Sequence, residues 1–407
     1  MFLGMAAAAG VATVLPVSAA SRAGAPLPAD TPPPIGEVER MARIARAQRL
    51  MRQRGIGALL VEAGSSLVYF TGVDWWRSER LTAAVIPADG ETLVVTPHFE
   101  EPSVRETLAV AADVRTWHEH ESPAALIADW LRARGGGAGP VGIEDTVRFF
   151  AVDGLRRQGV ETRDDGGIVR TCRVIKSPAE IALMQRASDI TVAAYREVGA
   201  QIRSGMGAAE IEELMLAAMT RLGGASPWAL ILPNEASAYP HGTGRVERTK
   251  AGGILLLDCG CAYEGYQSDI SRTIIVGGEP SRRQREVWDM VRRGQQIAFE
   301  TAHIGTPAGA VDDAVRAQYE KAGYGPAYRL PGLSHRTGHG IGMDGHEPVN
   351  LVHGETAPLA AGMCFSNEPG IYIPGEFGVR LEDCIYMTDT GPRWFSRPPA
   401  AIDEALT

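Results

Sequence analysis

Between Glu37 and Arg54 apolar residues recur at helical spacing: Met41, Ile44, Ala45, Leu50 and Met51, with Gly55 directly after. This predicts an amphipathic helix with those residues inward and a glycine at its C-terminus. The period then changes. Short apolar runs follow, ALLVE at 58–62, LVYF at 67–70, AAVIP at 83–87 and TLVVTP at 92–97, most of them separated by Gly or Pro. Their length and β-branched content predict strands. PAALIADWLRAR at 123–134 reads as a helix ended by Gly135, Gly136 and Gly137, and VGIE at 141–144 as another strand. This alternation predicts an α/β layer domain with a mixed sheet over residues 36–170.

A second pattern opens at Ser177-Pro178-Ala179-Glu180, a capping box with proline at the first helical position. The predicted helix runs through Ile181, Met184, Ala187, Ala194 and Val198. Another starts at Ala208, continues through Ile211, Leu214, Met215 and Ala218, and stops at Gly223-Gly224. Further helices are predicted at 283–302 and 309–322, with strands between and after them. Helices followed by hairpins predict an α+β domain over 171–407, with its helices on one face of an antiparallel sheet. Two domains suit a chain of 407 residues.

The apolar run LGMAAAAGVATVLPVSA at 3–19 reads as a signal peptide, residues 1–20, cleaved near Ala19 or Ala20. A proline-rich linker follows at 21–35. The expected destination is the bacterial periplasm, with a cytoplasmic protein as the alternative. No Lys or Arg precedes the apolar run, so a basic or twin-arginine segment is expected upstream of Met1. No stable membrane span is expected after signal removal.

A net charge of −9, without a basic run, argues against nucleic acid as a partner. The five cysteines form no disulfide framework, and Cys259-Gly260-Cys261 is too tight for a Cys-x-x-Cys site. They are expected as small buried residues, with one disulfide after export as the alternative. In the first domain, Trp75 and Trp76 beside Arg77 suit contact with a ligand or a neighbouring subunit, or else one core and one half-exposed tryptophan. His118 and His120, among Glu119 and Glu121, read as a solvated loop.

Candidate chemistry lies in the last third. GILLLDCGCAYEGYQSDISRTIIVG, at 253–277, predicts a hairpin turning at Tyr263-Glu264, with Asp258 opposite Asp269. Two facing carboxylates repel unless one is protonated or a metal ion lies between them. His339 sits between glycines in Thr337–Gly342, so backbone can pass close to whatever the imidazole touches. His335 and His346 lie nearby. Glu368, in FSNEPGIY, and Glu382, in GVRLED, flank a Pro-Gly-Glu-Phe-Gly turn and fall on one face of a second hairpin. Four carboxylates and one imidazole suit Mn²⁺, Fe²⁺, Co²⁺ or Zn²⁺. A shared carboxylate can hold two such ions about 3.5–4 Å apart.

In order, DCGCAYEGYQSDISRT, HRTGHGIG with a following HE, NEPGIY and GVRLED resemble the pita-bread metallopeptidases, in the branch of Xaa-Pro dipeptidase (prolidase) and Xaa-Pro aminopeptidase. RVIKSPAEIALM and YFTG are similar to the segments that open that branch's catalytic domain and mark its creatinase-type N-terminal domain. The resemblance implies a pita-bread domain, with helices on a curved antiparallel sheet, preceded by a creatinase-type α/β domain. It implies Asp258, Asp269, His339, Glu368 and Glu382 as ligands of two divalent ions, with Mn²⁺ as the first expectation. Glu368 would also handle the proton of the attacking water. His241 and His346 would contact the substrate and stabilise the oxyanion, and His335 and Arg380 would support the site or touch substrate. The implied substrates are Xaa-Pro dipeptides or longer proline-containing peptides, and the implied assembly is a homodimer. One departure stands out. Some prolidases hold the dipeptide's free carboxylate with an arginine shortly after the HE pair, and here Asn350 stands where a base is expected. Arg329, Arg336 or Arg380 takes that role, or the substrate is longer.

Overall fold

The computed structural model describes residues 31–135 and 139–406. The expected signal peptide and residues 21–30 of the expected linker lie outside them. The first helix spans Glu37–Arg54 and closes on Gly55, whose φ of 64° suits a residue without a side chain. Its buried face carries Arg43, Ile44, Ala47 and Met51. Met41, expected inward, is 43% exposed, because at 3.6 residues per turn it lies roughly 100° around the helix axis from the centre of that face.

Six strands form a mixed sheet in the order Asp113–Trp117, Leu93–Pro97, Ala83–Pro87, Ala58–Glu62, Val141–Ile143, Thr162–Asp164. Alternate side chains serve two cores. Leu59, Val61, Ala84, Ile86 and Val94 face one; Ala58, Leu60, Ala83, Val85, Leu93 and Val95 face the other. Burial on both sides explains why the central strands read as continuous apolar runs. LVYF, expected as a strand, lies instead in the helix Ser65–Thr71 between Gly64 and Gly72. A buried four-residue apolar run satisfies either period, so spacing does not decide it. Trp75 is half-buried, with its Nε1 donating to Glu100 Oε2 at 3.1 Å, and Trp76 stacks on it with 60% exposure. His118 and His120 are exposed.

The first core does not stop at this layer. It continues through Leu183, Met184, Ile190, Met215 and Cys259. These belong to the helices Pro178–Gly199 and Ala208–Arg221 and to the antiparallel strands they cover, Ala225–Pro233, Gly253–Tyr263 and Ile270–Val276. Both bonds of the capping box at Ser177 form. The helices Arg282–Thr301 and Ala308–Lys321 share a separate core with Leu351, Phe365, Ile371, Val379 and Ile385. Those residues lie on a five-stranded antiparallel sheet, ordered Glu347–Leu351, Gly338–Gly340, Cys364–Asn367, Asp383–Thr388, Gly391–Trp394, and on the hairpin Gly370–Ile373/Phe377–Arg380. All five cysteines are buried and free. Among the described residues, no helix is long and apolar enough to cross a membrane.

Candidate metal centre

The first acidic hairpin turns one residue later than its sequence symmetry suggests. Tyr263 pairs with Tyr266, so the turn is Glu264-Gly265, with φ of 48° and 82°. Two consecutive positive φ values are the mark of the two-residue turn that matches strand twist. Asp258 therefore faces Ser271, not Asp269. The partner moves by two positions, an even number, so Asp269 keeps the predicted face and approaches Asp258 diagonally.

In the second hairpin the ladders Gly370–Ile373/Phe377–Arg380 and Cys364–Asn367/Asp383–Thr388 keep one register. Glu368 and Glu382 stand opposite each other in the gap between them. The strand Gly338–Gly340 carries His339 alongside. A Cβ on Gly338 would lie 2.1 Å from the Ser366 carbonyl oxygen, and one on Gly340 2.6 Å from that of Glu347. The flanking glycines thus admit neighbouring strands, not a ligand as expected.

These elements converge. Carboxylate oxygens of Asp258, Asp269 and Glu382 approach within 4.8 Å of one another, as do ligand atoms of His339, Glu368 and Glu382. His339 Nδ1 faces the Gly340 carbonyl at 3.0 Å. With the proton held there, Nε2 is free as a ligand, 3.4 Å from Glu368 Oε1 and 3.8 Å from Asp269 Oδ2. Burial, then His346, lowers the His339 pKa to about 3, which keeps the ring neutral. Burial, then the neighbouring carboxylates, pushes Asp269 and Glu382 well above the usual range. Among the described residues, Glu382 Oε1 is buried with no hydrogen-bond partner. Crowded carboxylates, an unprotonated imidazole nitrogen and an unsatisfied buried oxygen fit divalent cations.

A hydrogen-bonded frame holds the set. Arg380 Nη2 meets Asp258 Oδ2 at 2.5 Å, and its Nη1 reaches the Pro240 carbonyl and the Tyr372 hydroxyl. Tyr372 donates to His335 Nε2 at 2.7 Å, and His335 Nδ1 donates to the Arg336 carbonyl. His335 therefore braces the site with both nitrogens. Ser271, unforeseen from sequence, lies 2.9 Å from Asp258 Oδ1 and 2.8 Å from Glu382 Oε2, and accepts from Arg380 Nε. Tyr372 is equally unforeseen.

The centre opens into a cavity of about 1040 Å³. Trp228, Leu230, Pro240, Met343 and Val352 supply apolar wall, and His241, Arg336 and His346 supply polar groups. The His346 ring packs edge-on to His339 at 4.1 Å. Arg329 and Asn350 do not line this cavity.

Residues 182–389 match the model of Metallopeptidase family M24, and residues 43–175 that of the Creatinase/Prolidase N-terminal domain. The chain belongs to metallopeptidase family M24. M24 membership gives the fold its description, a pita-bread catalytic domain behind a creatinase-type α/β domain, and implies divalent metal ions. The chain is 31% identical to an Xaa-Pro dipeptidase of Lactobacillus helveticus, over 81% of this chain and 90% of that protein. The crystal structure of dipeptidase PepE from Mycobacterium ulcerans superposes with a TM-score of 0.82 at 29% identity, covering 91% of this chain and 99% of the other. That of the X-Pro aminopeptidase from Thermotoga maritima gives 0.74 at 25%, covering 87% and 99%.

Proposed function

We propose that this M24 peptidase is a dinuclear Xaa-Pro dipeptidase, with Asp258, Asp269, His339, Glu368 and Glu382 holding two ions, Mn²⁺ in the first instance. The observation that carries the metal assignment is the convergence of four carboxylates on one unprotonated imidazole nitrogen, with a buried carboxylate oxygen left unsatisfied. The dipeptide reading draws on the relatives named above as dipeptidases. The alternative, an aminopeptidase acting on longer peptides, draws on the X-Pro aminopeptidase likeness and on Asn350 standing where a base was expected.

When bound, the ions supply a nucleophilic water at neutral pH and polarise the scissile carbonyl. Glu368 would take a proton from the attacking water and pass it to the departing prolyl nitrogen. Burial, opposed by Arg380, raises its carboxyl pKa to about 7 when no cation is bound, and bound ions would bring it down. His346 and His241, on the cavity wall, donate to the oxygen on which negative charge develops. Burial lowers the His346 pKa, so it acts as a neutral donor. Arg380 and Ser271 fix Asp258. The cavity must accept a tertiary amide, which lacks the N–H that other peptide bonds offer.

The test is hydrolysis of Ala-Pro against Ala-Pro-Ala, with Mn²⁺ restored after chelation. Cleavage of the dipeptide alone is expected. Cleavage of the tripeptide at comparable rate transfers the assignment to an aminopeptidase, and metal-independent activity removes the two-ion reading. A homodimer belongs to the same proposal, with the exposed Trp76 at the contact. A monomeric mass by light scattering would count against it.

A further inference from the structure

A dipeptide carries a free carboxylate only a few bonds beyond the scissile carbonyl, and the cavity that takes it is rich in negative charge. Asp258, Asp269, Asp344, Glu368 and Glu382 all line it. A substrate anion enters such a place only if a cation is reserved for it. Among the described residues, two guanidinium groups line the cavity, those of Arg336 and Arg380. Arg380 is occupied: Nε holds Ser271, Nη1 holds Pro240 and Tyr372, and Nη2 holds Asp258. Four of its five N–H groups are thus engaged within the frame. Lys176 is bound to Glu347, away from the cavity wall. The guanidinium of Arg336, in contrast, has neither a hydrogen bond nor an ion pair among the described residues, although the residue is only half-exposed. It sits between His335 and His339, and its charge bears on Glu368, His339 and His346. An uncommitted guanidinium fork beside the reacting centre matches a carboxylate in shape and charge.

We propose that Arg336 binds the free α-carboxylate of the substrate and so sets the preference for a two-residue peptide. This rests on the dipeptidase reading above and adds the residue that measures substrate length. In a longer peptide or a C-terminal amide, the same position carries a neutral group and the guanidinium is left without its anion.

The experiment compares Ala-Pro with Ala-Pro-amide on the Mn²⁺-loaded enzyme and on Arg336→Gln and Arg336→Lys. Taking the ratio of kcat/KM for acid over amide within each protein cancels any change in metal loading. The wild type is expected to favour the acid, and Arg336→Gln to lower that ratio about 10- to 100-fold, chiefly through KM for the acid. Arg336→Lys should retain part of it. An unchanged ratio in Arg336→Gln overturns the anchor while leaving the dipeptidase reading intact. So does a wild type that takes the amide as readily as the acid. Failure of the wild type to cleave either compound removes the underlying reading and the anchor with it.

Discussion

Ser271 shows how much of a metal centre can depend on a residue that is no ligand. Its single proton serves Asp258 or Glu382, while its oxygen accepts from Arg380. Ser271→Ala leaves a buried guanidinium N–H without an acceptor and lets two carboxylates drift. The expected outcome is a loss of Mn²⁺ affinity of about 10- to 100-fold, the usual effect of removing a support behind a ligand. Titration of activity with Mn²⁺ after chelation measures it; a curve superposable on that of the wild type would refute the role. His339→Ala removes a donor itself and should abolish Mn²⁺-dependent hydrolysis, read together with metal content. The carboxylates and His339 were legible in the sequence because turn residues frame them. Ser271 and Tyr372 were not. They are ordinary strand residues, and Ser271 joins the site only through a register set by the positive φ of Glu264 and Gly265.

Among the elements, the helix Ala308–Lys321 does more than cover a sheet. Asp312, fully buried, accepts from Thr337 N and Thr337 Oγ1, from His353 N and from Arg316 Nε. Arg316 in turn holds the carbonyls of Leu333 and His335. One ion pair thus pins both sides of the segment that presents His335 and His339. Asp312→Ala leaves a buried guanidinium unpaired, at a cost of about 3–5 kcal/mol. Denaturant unfolding is the measurement, and a loss below about 1 kcal/mol would exclude this function for the pair. The helix was legible from its apolar period, but its anchoring was not, because Asp312 looks like any polar helix residue until its partners, up to 41 positions away, are known. LVYF marks the opposite limit. Enclosed by Gly64 and Gly72 and buried almost throughout, it has no polar face from which to read a period.

For the molecule as a whole, Glu347 is where the two halves meet the active-site loop. It pairs with Arg173 and Lys176 and accepts from the Met343 and Asp344 backbone, just before the loop reaches His346. Arg173 also bonds Ser65 and Ser66 of the first layer. Burial alone would raise the Glu347 pKa, but Lys176 and Arg173 prevail and bring it down to about 2, from an ordinary 4.5. A carboxylate with a depressed folded pKa stabilises fully above its unfolded value and progressively less as pH falls through the folded one. The window is therefore about 4.5 down to 2, and the shift corresponds to about 3 kcal/mol. Glu347→Gln should lose about 3–5 kcal/mol at neutral pH, because buried Lys176 loses its anion and Arg173 keeps only the half-exposed Asp344. Its stability should also fall less steeply than that of the wild type between pH 4.5 and 3. Unfolding free energies measured across that range decide the matter, since parallel acid limbs in the two proteins would mean that Glu347 is not the group being titrated. The same variant should lower kcat on Ala-Pro, since the loop that Glu347 holds carries His346 against His339. An acid-stability defect without a kinetic one would confine Glu347 to joining the two halves and leave the placement of His346 to other contacts.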